Sequence, residues 1–126
     1  VLSCFHLRLP ICVPAAGRFM FRLLIPSPVL AAVVDHARAE LPNECCGFLS
    51  GRVDGGVGRV DRHLPLVNEL ASPSAFATEP RSVLAAFRAM RAAGTDVLAI
   101  YHSHPTAAAV PSRRDLAQNT YGPGVA

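Results

Sequence analysis

His102 and His104 stand two residues apart at the end of an apolar run, and their spacing is suited to metal chemistry. Side chains of a strand alternate between its two faces, so both imidazole rings are predicted to project from the same face. Imidazole is a good zinc ligand, and two rings on one face supply half of a tetrahedral site. Taken alone, the pair equally fits two hydrogen-bonded histidines at a strand end.

Asp115 is the candidate for a third ligand. It lies eleven residues after His104, in the predicted first turn of the next helix, and a loop of that length can return its carboxylate to the same metal. Three protein ligands leave a fourth position for water, which is typical of a catalytic zinc site. Zinc lowers the pKa of such a water to about 7 and can polarise a carbonyl oxygen.

Glu44 and Ser112 are candidates for the remaining chemistry. Glu44 begins the second strand, just after the first helix, where a strand end can meet the His-Ser-His turn; its carboxylate can take the proton of the water and pass it to a leaving amine. Ser112 can donate a hydrogen bond to a developing oxyanion. Two other interpretations stay open: Ser112 and Asp115 fit the cap and first turn of a helix, and Glu44 fits an ordinary loop acid.

The combined spacing resembles the JAMM motif of the MPN+ (Mov34/PAD-1) metalloprotease family. Glu44 is followed by His102-Ser103-His104-Pro105, with seven residues between His104 and Ser112 and two between Ser112 and Asp115. The segments Glu44–Gly51 and Ile100–Pro105 are similar to those of the short, single-domain bacterial members. The resemblance extends from about Met20 to the end of the chain.

The resemblance implies a zinc-dependent peptidase or isopeptidase. By similarity, His102, His104 and Asp115 hold one zinc ion with water as fourth ligand, Glu44 is the general acid/base, and Ser112 supports the oxyanion. The implied substrate is the C-terminal tail of a ubiquitin-like or sulfur-carrier protein, bound in extended form beside a strand edge.

Two other functions remain open for a chain of this kind. One is a non-catalytic scaffold of the same fold, although scaffold relatives typically lose ligands and this chain keeps Glu44 and Asp115. The other is a RadC-like, DNA-repair-associated protein. Those relatives typically read His-Asn-His-Pro, whereas this chain has Ser103 between the histidines.

The elements around these residues alternate between strands and helices. Ser27-Pro28 marks the start of the first predicted helix, and Gly94 marks the end of the second. The expected strands are Met20–Ile25, Cys45–Ser50, Arg59–Asn68 and Val97–Tyr101, and a turn is expected over Arg52–Gly58. The expected helices run from Val29 to about Leu41, from about Pro80 to Ala93, and onward from Ser112. This order predicts an α/β (α+β) fold with a mixed sheet packed between helices. The resemblance implies the MPN/JAB (cytidine-deaminase-like) architecture, with the last strands missing.

The length, charge and composition of the chain limit its domain count and its classes of partner. The 126 residues suit one domain, expected over residues 20–126 after an N-terminal extension, 1–19. A net charge of +3 from 12 basic and 9 acidic residues gives no case for nucleic-acid binding. The longest apolar run is too short to span a membrane, and we expect a cytoplasmic protein with Cys45 and Cys46 as buried free thiols. A monomer and a homodimer are both compatible with the sequence.

Overall fold

A computed structural model describes residues 11–12, 22–108, 110 and 113. The elements are β1 (Ile11–Cys12), β2 (Arg22–Leu24), α1 (Ser27–Ala39), β3 (Cys46–Asp54), β4 (Val57–Leu66), α2 (Pro80–Ala93) and β5 (Asp96–His102). Both long helices and the three long strands match the predicted elements, with ends that differ by a few residues. The strand β1 falls in the segment that was expected to be an extension.

The five strands form one mixed sheet in the order β1-β5-β3-β4-β2. The pair β2–β4 is parallel, and the pairs β1–β5, β3–β4 and β3–β5 are antiparallel. Strand β3 therefore lies at the centre, with the long strands β4 and β5 on either side. The predicted mixed sheet is confirmed.

One helix packs on each face of the sheet, so two separate apolar clusters form. On the α1 face the buried residues are Val33, Ala37, Cys45, Leu49, Val60, Leu98, Ala99 and Tyr101. On the α2 face they are Cys46, Phe48, Leu66, Ala86 and Met90. Fully burying a side chain such as Phe48 contributes roughly 1.5–3 kcal/mol. The vicinal thiols of Cys45 and Cys46 are free and buried on opposite faces, as a strand's alternation requires.

Two bulges interrupt the ladders at the same level of β3. Leu49 pairs with Ala99 but Ser50 pairs with Val97, which leaves Leu98 as an extra residue on β5. On the other side Ser50 pairs with Arg62 but Gly51 with Val60, so β4 also carries one extra residue. A bulge shifts the alternation of the strand that carries it by one residue.

The ends of the helices follow from local hydrogen bonding. Helix α2 begins after Glu79, whose Oε2 accepts a hydrogen bond of 2.6 Å from the backbone N–H of Ser82. It ends at Gly94, which adopts the left-handed conformation at φ 65° as predicted. Helix α1 differs from the prediction, because Ser27 is its first residue and Pro26 the cap, with no side-chain capping bond.

Candidate active site

His102 and His104 bring their rings together at the end of β5. Their Nε2 atoms are 2.7 Å apart, and both side chains are buried. His102 is the last residue of the strand and His104 lies just beyond it, so the alternation of the backbone carries both rings to the α2 face. The two nitrogens are therefore placed to bind one common atom.

The hydrogen bonds of His104 fix where its proton sits. Its Nδ1 lies 2.6 Å from the carbonyl oxygen of Ala108. A carbonyl can only accept, so Nδ1 carries the proton and Nε2 presents its lone pair. In the metal-free chain the proton between the two rings then belongs to Nε2 of His102, which would have to release it before binding a metal ion. A backbone carbonyl that orients the far nitrogen of an imidazole is the usual support for a metal-ligating histidine.

The pair fits a zinc ion by donor type. Two nitrogens on one tetrahedral zinc ion lie about 3.3 Å apart, so the two Nε2 atoms, which lie 2.7 Å apart, would have to separate by about 0.6 Å to hold one. Asp115 and Ser112, predicted as third ligand and oxyanion donor, lie outside the described residues. Within the part of the chain that the structure describes, no group of three or more His, Cys, Asp or Glu side chains is arranged to hold a metal ion.

Glu44 reaches this site through the pairing of β3 with β5. Cys46 pairs with His102, and one step further out the N–H of Ser103 donates to the carbonyl of Cys45 at 3.0 Å. Continuing this antiparallel register by one more residue sets Glu44 opposite His104. Glu44 is only 5% exposed. The structure thus brings Glu44, His102 and His104 to one corner of the sheet.

The loop of residues 69–79 forms a second wall of this corner. Phe76 stacks on the ring of His102, with centroids 4.7 Å apart and planes inclined by 30°. The N–H of Glu44 donates to the carbonyl of Ser72 at 2.8 Å. Asn68, at the start of the loop, donates to the carbonyl of Glu44 at 3.0 Å. The sequence does not single out Asn68, the last residue of a predicted strand, or Phe76, which lies in a loop without periodicity.

A second polar cluster lies on the opposite face of the sheet. His36 of α1 places its Nδ1 2.9 Å from the hydroxyl of the fully buried Tyr101, and the ring of His63 packs against both. Burial lowers the pKa of His36, an effect that Glu40 partly opposes, and burial also lowers the pKa of His63. Burial raises the pKa of Tyr101, which therefore keeps its proton. The structure thus gives His36 a buried hydrogen-bond partner.

The described helices include none that is long and apolar enough to cross a membrane.

Known proteins resemble this chain over most of its length. The CysO-cysteine peptidase of Mycobacterium tuberculosis (strain ATCC 25618 / H37Rv) is 37% identical over 97 residues, which make up 77% of this chain and 65% of that protein. The probable TtuB-protein conjugate cleaving protease of Thermus thermophilus is 38% identical over 95 residues, 75% of this chain and 61% of that protein. The chain thus spans less than two thirds of the length of these curated relatives.

A solution structure of a protein from Desulfitobacterium hafniense matches the fold, with a TM-score of 0.71 and 40% sequence identity. The match covers 80% of this chain and 68% of that chain. Residues 26–125 match the family described as prokaryotic homologs of the JAB domain. This match takes in all of the elements from α1 onward, together with the corner formed by Glu44, His102 and His104. The chain belongs to the prokaryotic homologs of the JAB domain.

Proposed function

We propose that this chain is the catalytic part of a zinc-dependent peptidase that hydrolyses a peptide or isopeptide bond at the C-terminal tail of a ubiquitin-like or sulfur-carrier protein. The observation that carries the proposal is the convergence of the two Nε2 atoms of His102 and His104, 2.7 Å apart, beside the buried Glu44. Two imidazole nitrogens that converge on one point are suited to binding a metal ion, and a carboxylate near them is suited to proton transfer.

In the proposed mechanism His102, His104 and Asp115 hold the metal. When bound, zinc supplies Lewis acidity, which activates water and polarises the scissile carbonyl. The carboxylate of Glu44 takes a proton from the attacking water and returns it to the leaving amine nitrogen. The hydroxyl of Ser112 donates a hydrogen bond to the oxyanion. The fold contributes a preorganised corner, because the backbone of Glu44 is bonded to Ser72 and Asn68 and the ring of Phe76, in the same loop, stacks on His102.

The names of the relatives favour this substrate class. One is named a peptidase and the other a protease that cleaves protein conjugates. For this chain we propose an extended tail that reaches the corner beside a strand edge, where backbone hydrogen bonds hold it in register.

The test uses the full chain, its zinc content and a carrier of ubiquitin fold that ends in Gly-Gly-Cys. We expect about one zinc per chain and cleavage that stops with a chelator. Glu44→Gln should keep the zinc and lose cleavage by about 10²- to 10⁴-fold. Glu40→Gln is the matched control, since Glu40 is an exposed acid at the end of α1, and it should cleave like the wild type.

Three results would contradict the proposal. Zinc binding without Glu44-dependent cleavage would favour the scaffold function. Cleavage that is unchanged in Glu44→Gln would remove Glu44 from the reaction. Salt-dependent binding of DNA without cleavage of the carrier would favour the RadC-like function.

A further inference from the structure

Asn68 uses its whole side chain to connect Glu44 with the loop that carries Phe76. Its Nδ2 donates to the carbonyls of Glu44 and Ala75, both at 3.0 Å. Its Oδ1 accepts from the N–H groups of Leu70 and Ala77, both at 3.1 Å. One amide thus joins Glu44, which lies two residues before β3, to three points of the loop 69–79.

Only one orientation of this amide satisfies all four partners. An asparagine amide has two N–H donors at one end and an acceptor oxygen at the other. Two backbone carbonyls face the Nδ2 end and two backbone N–H groups face the Oδ1 end. The opposite orientation would set oxygen against two carbonyls. The contacts therefore define the direction of the side chain as well as its position.

The residues that Asn68 connects are those that contact the candidate site. The carbonyl of Glu44 is bound directly, and the N–H of Glu44 is held by Ser72 of the same loop. The bonds to Ala75 and Ala77 bracket Phe76, whose ring stacks on His102. Asn68 is itself anchored, since it forms an antiparallel bridge with Thr78 just before α2.

We propose that Asn68 is a positioning residue for hydrolysis, which holds the backbone of Glu44 and the Phe76 side of the loop in one fixed relation to His102. The inference rests on the proposed function, because it assigns Glu44 the proton transfer. A displacement of about 1 Å at a catalytic group can cost about 10²-fold in rate, so the loss of one amide here should lower turnover more than substrate binding.

The variants separate the two ends of the amide. Asn68→Ala removes all four bonds. Asn68→Asp keeps an acceptor for Leu70 and Ala77 but removes both donors and sets a carboxylate oxygen against the carbonyls of Glu44 and Ala75. The control is Ser82→Ala, since Ser82 accepts from the N–H of Val67 and donates to the carbonyl of Glu79, at the other end of the same loop.

In steady-state kinetics with the zinc-loaded enzyme, we expect both Asn68 variants to lower kcat by about 10- to 100-fold, with KM within about threefold of wild type and zinc content unchanged. Ser82→Ala should keep kcat within about twofold of wild type, even if its melting temperature falls as far as that of the Asn68 variants. An equal fall of kcat in Ser82→Ala, or a wild-type kcat in Asn68→Asp, would overturn the inference.

Hydrogen exchange of the metal-free chain supplies a readout that does not depend on cleavage. In Asn68→Asp the N–H of Glu44 should exchange faster by about tenfold, while the N–H groups of Leu70 and Ala77 keep their protection. In Ser82→Ala the N–H of Glu44 should exchange as in wild type. If the wild type cleaves no carrier, the proposed function fails on its own. Unchanged exchange at Glu44 in Asn68→Asp would refute the positioning role separately.

Discussion

Ser103 and Cys45 exchange two hydrogen bonds across the β3–β5 ladder. The N–H of Ser103 donates to the carbonyl of Cys45 at 3.0 Å, and the N–H of Cys45 donates to Oγ of Ser103 at 2.9 Å. The hydroxyl of Ser103 thus takes the place of a backbone carbonyl just where regular strand structure ends. This pair explains the polar residue between the two histidines, because it extends the ladder to the level of the corner that holds Glu44, His102 and His104.

Removal of this hydroxyl should destabilise the fold. In Ser103→Ala the buried N–H of Cys45 loses its acceptor, which should lower the free energy of unfolding by about 1–3 kcal/mol. Urea unfolding of the metal-free chain measures the change. Ser74→Ala, at an exposed serine of the loop, is the control and should stay within about 0.5 kcal/mol of wild type. Equal stabilities for the two variants would show that the Cys45 bond contributes nothing.

The ring of Phe76 should affect metal affinity through His102. Phe76→Leu keeps apolar volume but loses the stacked face, so His102 gains rotational freedom that a metal must then remove. Changes next to a ligand typically cost about 10- to 100-fold in affinity, and we expect the lower end here. Competition against a chromophoric chelator gives the dissociation constant.

The matched control for Phe76 is Phe87→Leu. Phe87 packs on Phe48 at 5.7 Å between ring centroids and is 44% exposed. Zinc affinity should be unchanged in that variant. An equal loss of affinity in both variants would mean that the effect of Phe76 is general loosening of the α2 core.

Gly47 should tolerate no side chain, because the ring of Tyr101 occupies the space. A Cβ built on Gly47 would lie 2.4 Å from Cζ and 2.4 Å from the hydroxyl oxygen of Tyr101, and Tyr101 is fully buried. Gly47→Ala should therefore lower the free energy of unfolding by about 1–3 kcal/mol. Gly55→Ala measures the cost of backbone strain alone, since a Cβ on Gly55 would meet no atom within 4 Å but the residue has φ 55°. If the space matters, Tyr101→Leu should reduce the cost of Gly47→Ala in a double-mutant cycle.

The cluster around His36 should make stability fall in acid. Burial lowers the pKa of His36 in the folded chain, so below the unfolded value of about 6.5 the unfolded chain binds more protons. The contribution of neutral His36 is present above that pH and is lost as the pH falls through the folded pKa. The groups that bear on its ring are Glu40, His63 and Tyr101.

Urea unfolding of the metal-free chain at pH values from about 7.5 to 5.5 measures this dependence. His36→Gln cannot gain a proton and should lose less stability on acidification than the wild type. The same slope in both proteins would show that His36 titrates as it does in the unfolded chain.

Elements with strong local signals were predicted well from the sequence. Helix α2 matches residue for residue because Pro80 and Gly94 mark both ends. The convergence of His102 and His104 followed from strand alternation. The contacts of Asn68 and Phe76 depend on the path of a loop without periodicity, so no local sequence pattern predicts them. The two bulges were missed as well. In a continuous apolar run such as Val97–Tyr101, the residue types do not show which residues face which side of the sheet.

The extra residue at Leu98 determines which side of the molecule receives the histidines. Leu98 and Ala99 are consecutive, yet both face α1. The alternation of side chains along β5 is therefore shifted by one residue before Ile100 and His102. In a strand without that residue, the imidazole of His102 would face the α1 helix and Tyr101 would occupy the corner beside Glu44. A single insertion or deletion in the first half of β5 would therefore move the ring of His102 from the α2 face to the α1 face. Changes of two residues, or changes compensated by a second bulge, would keep His102 stacked on Phe76.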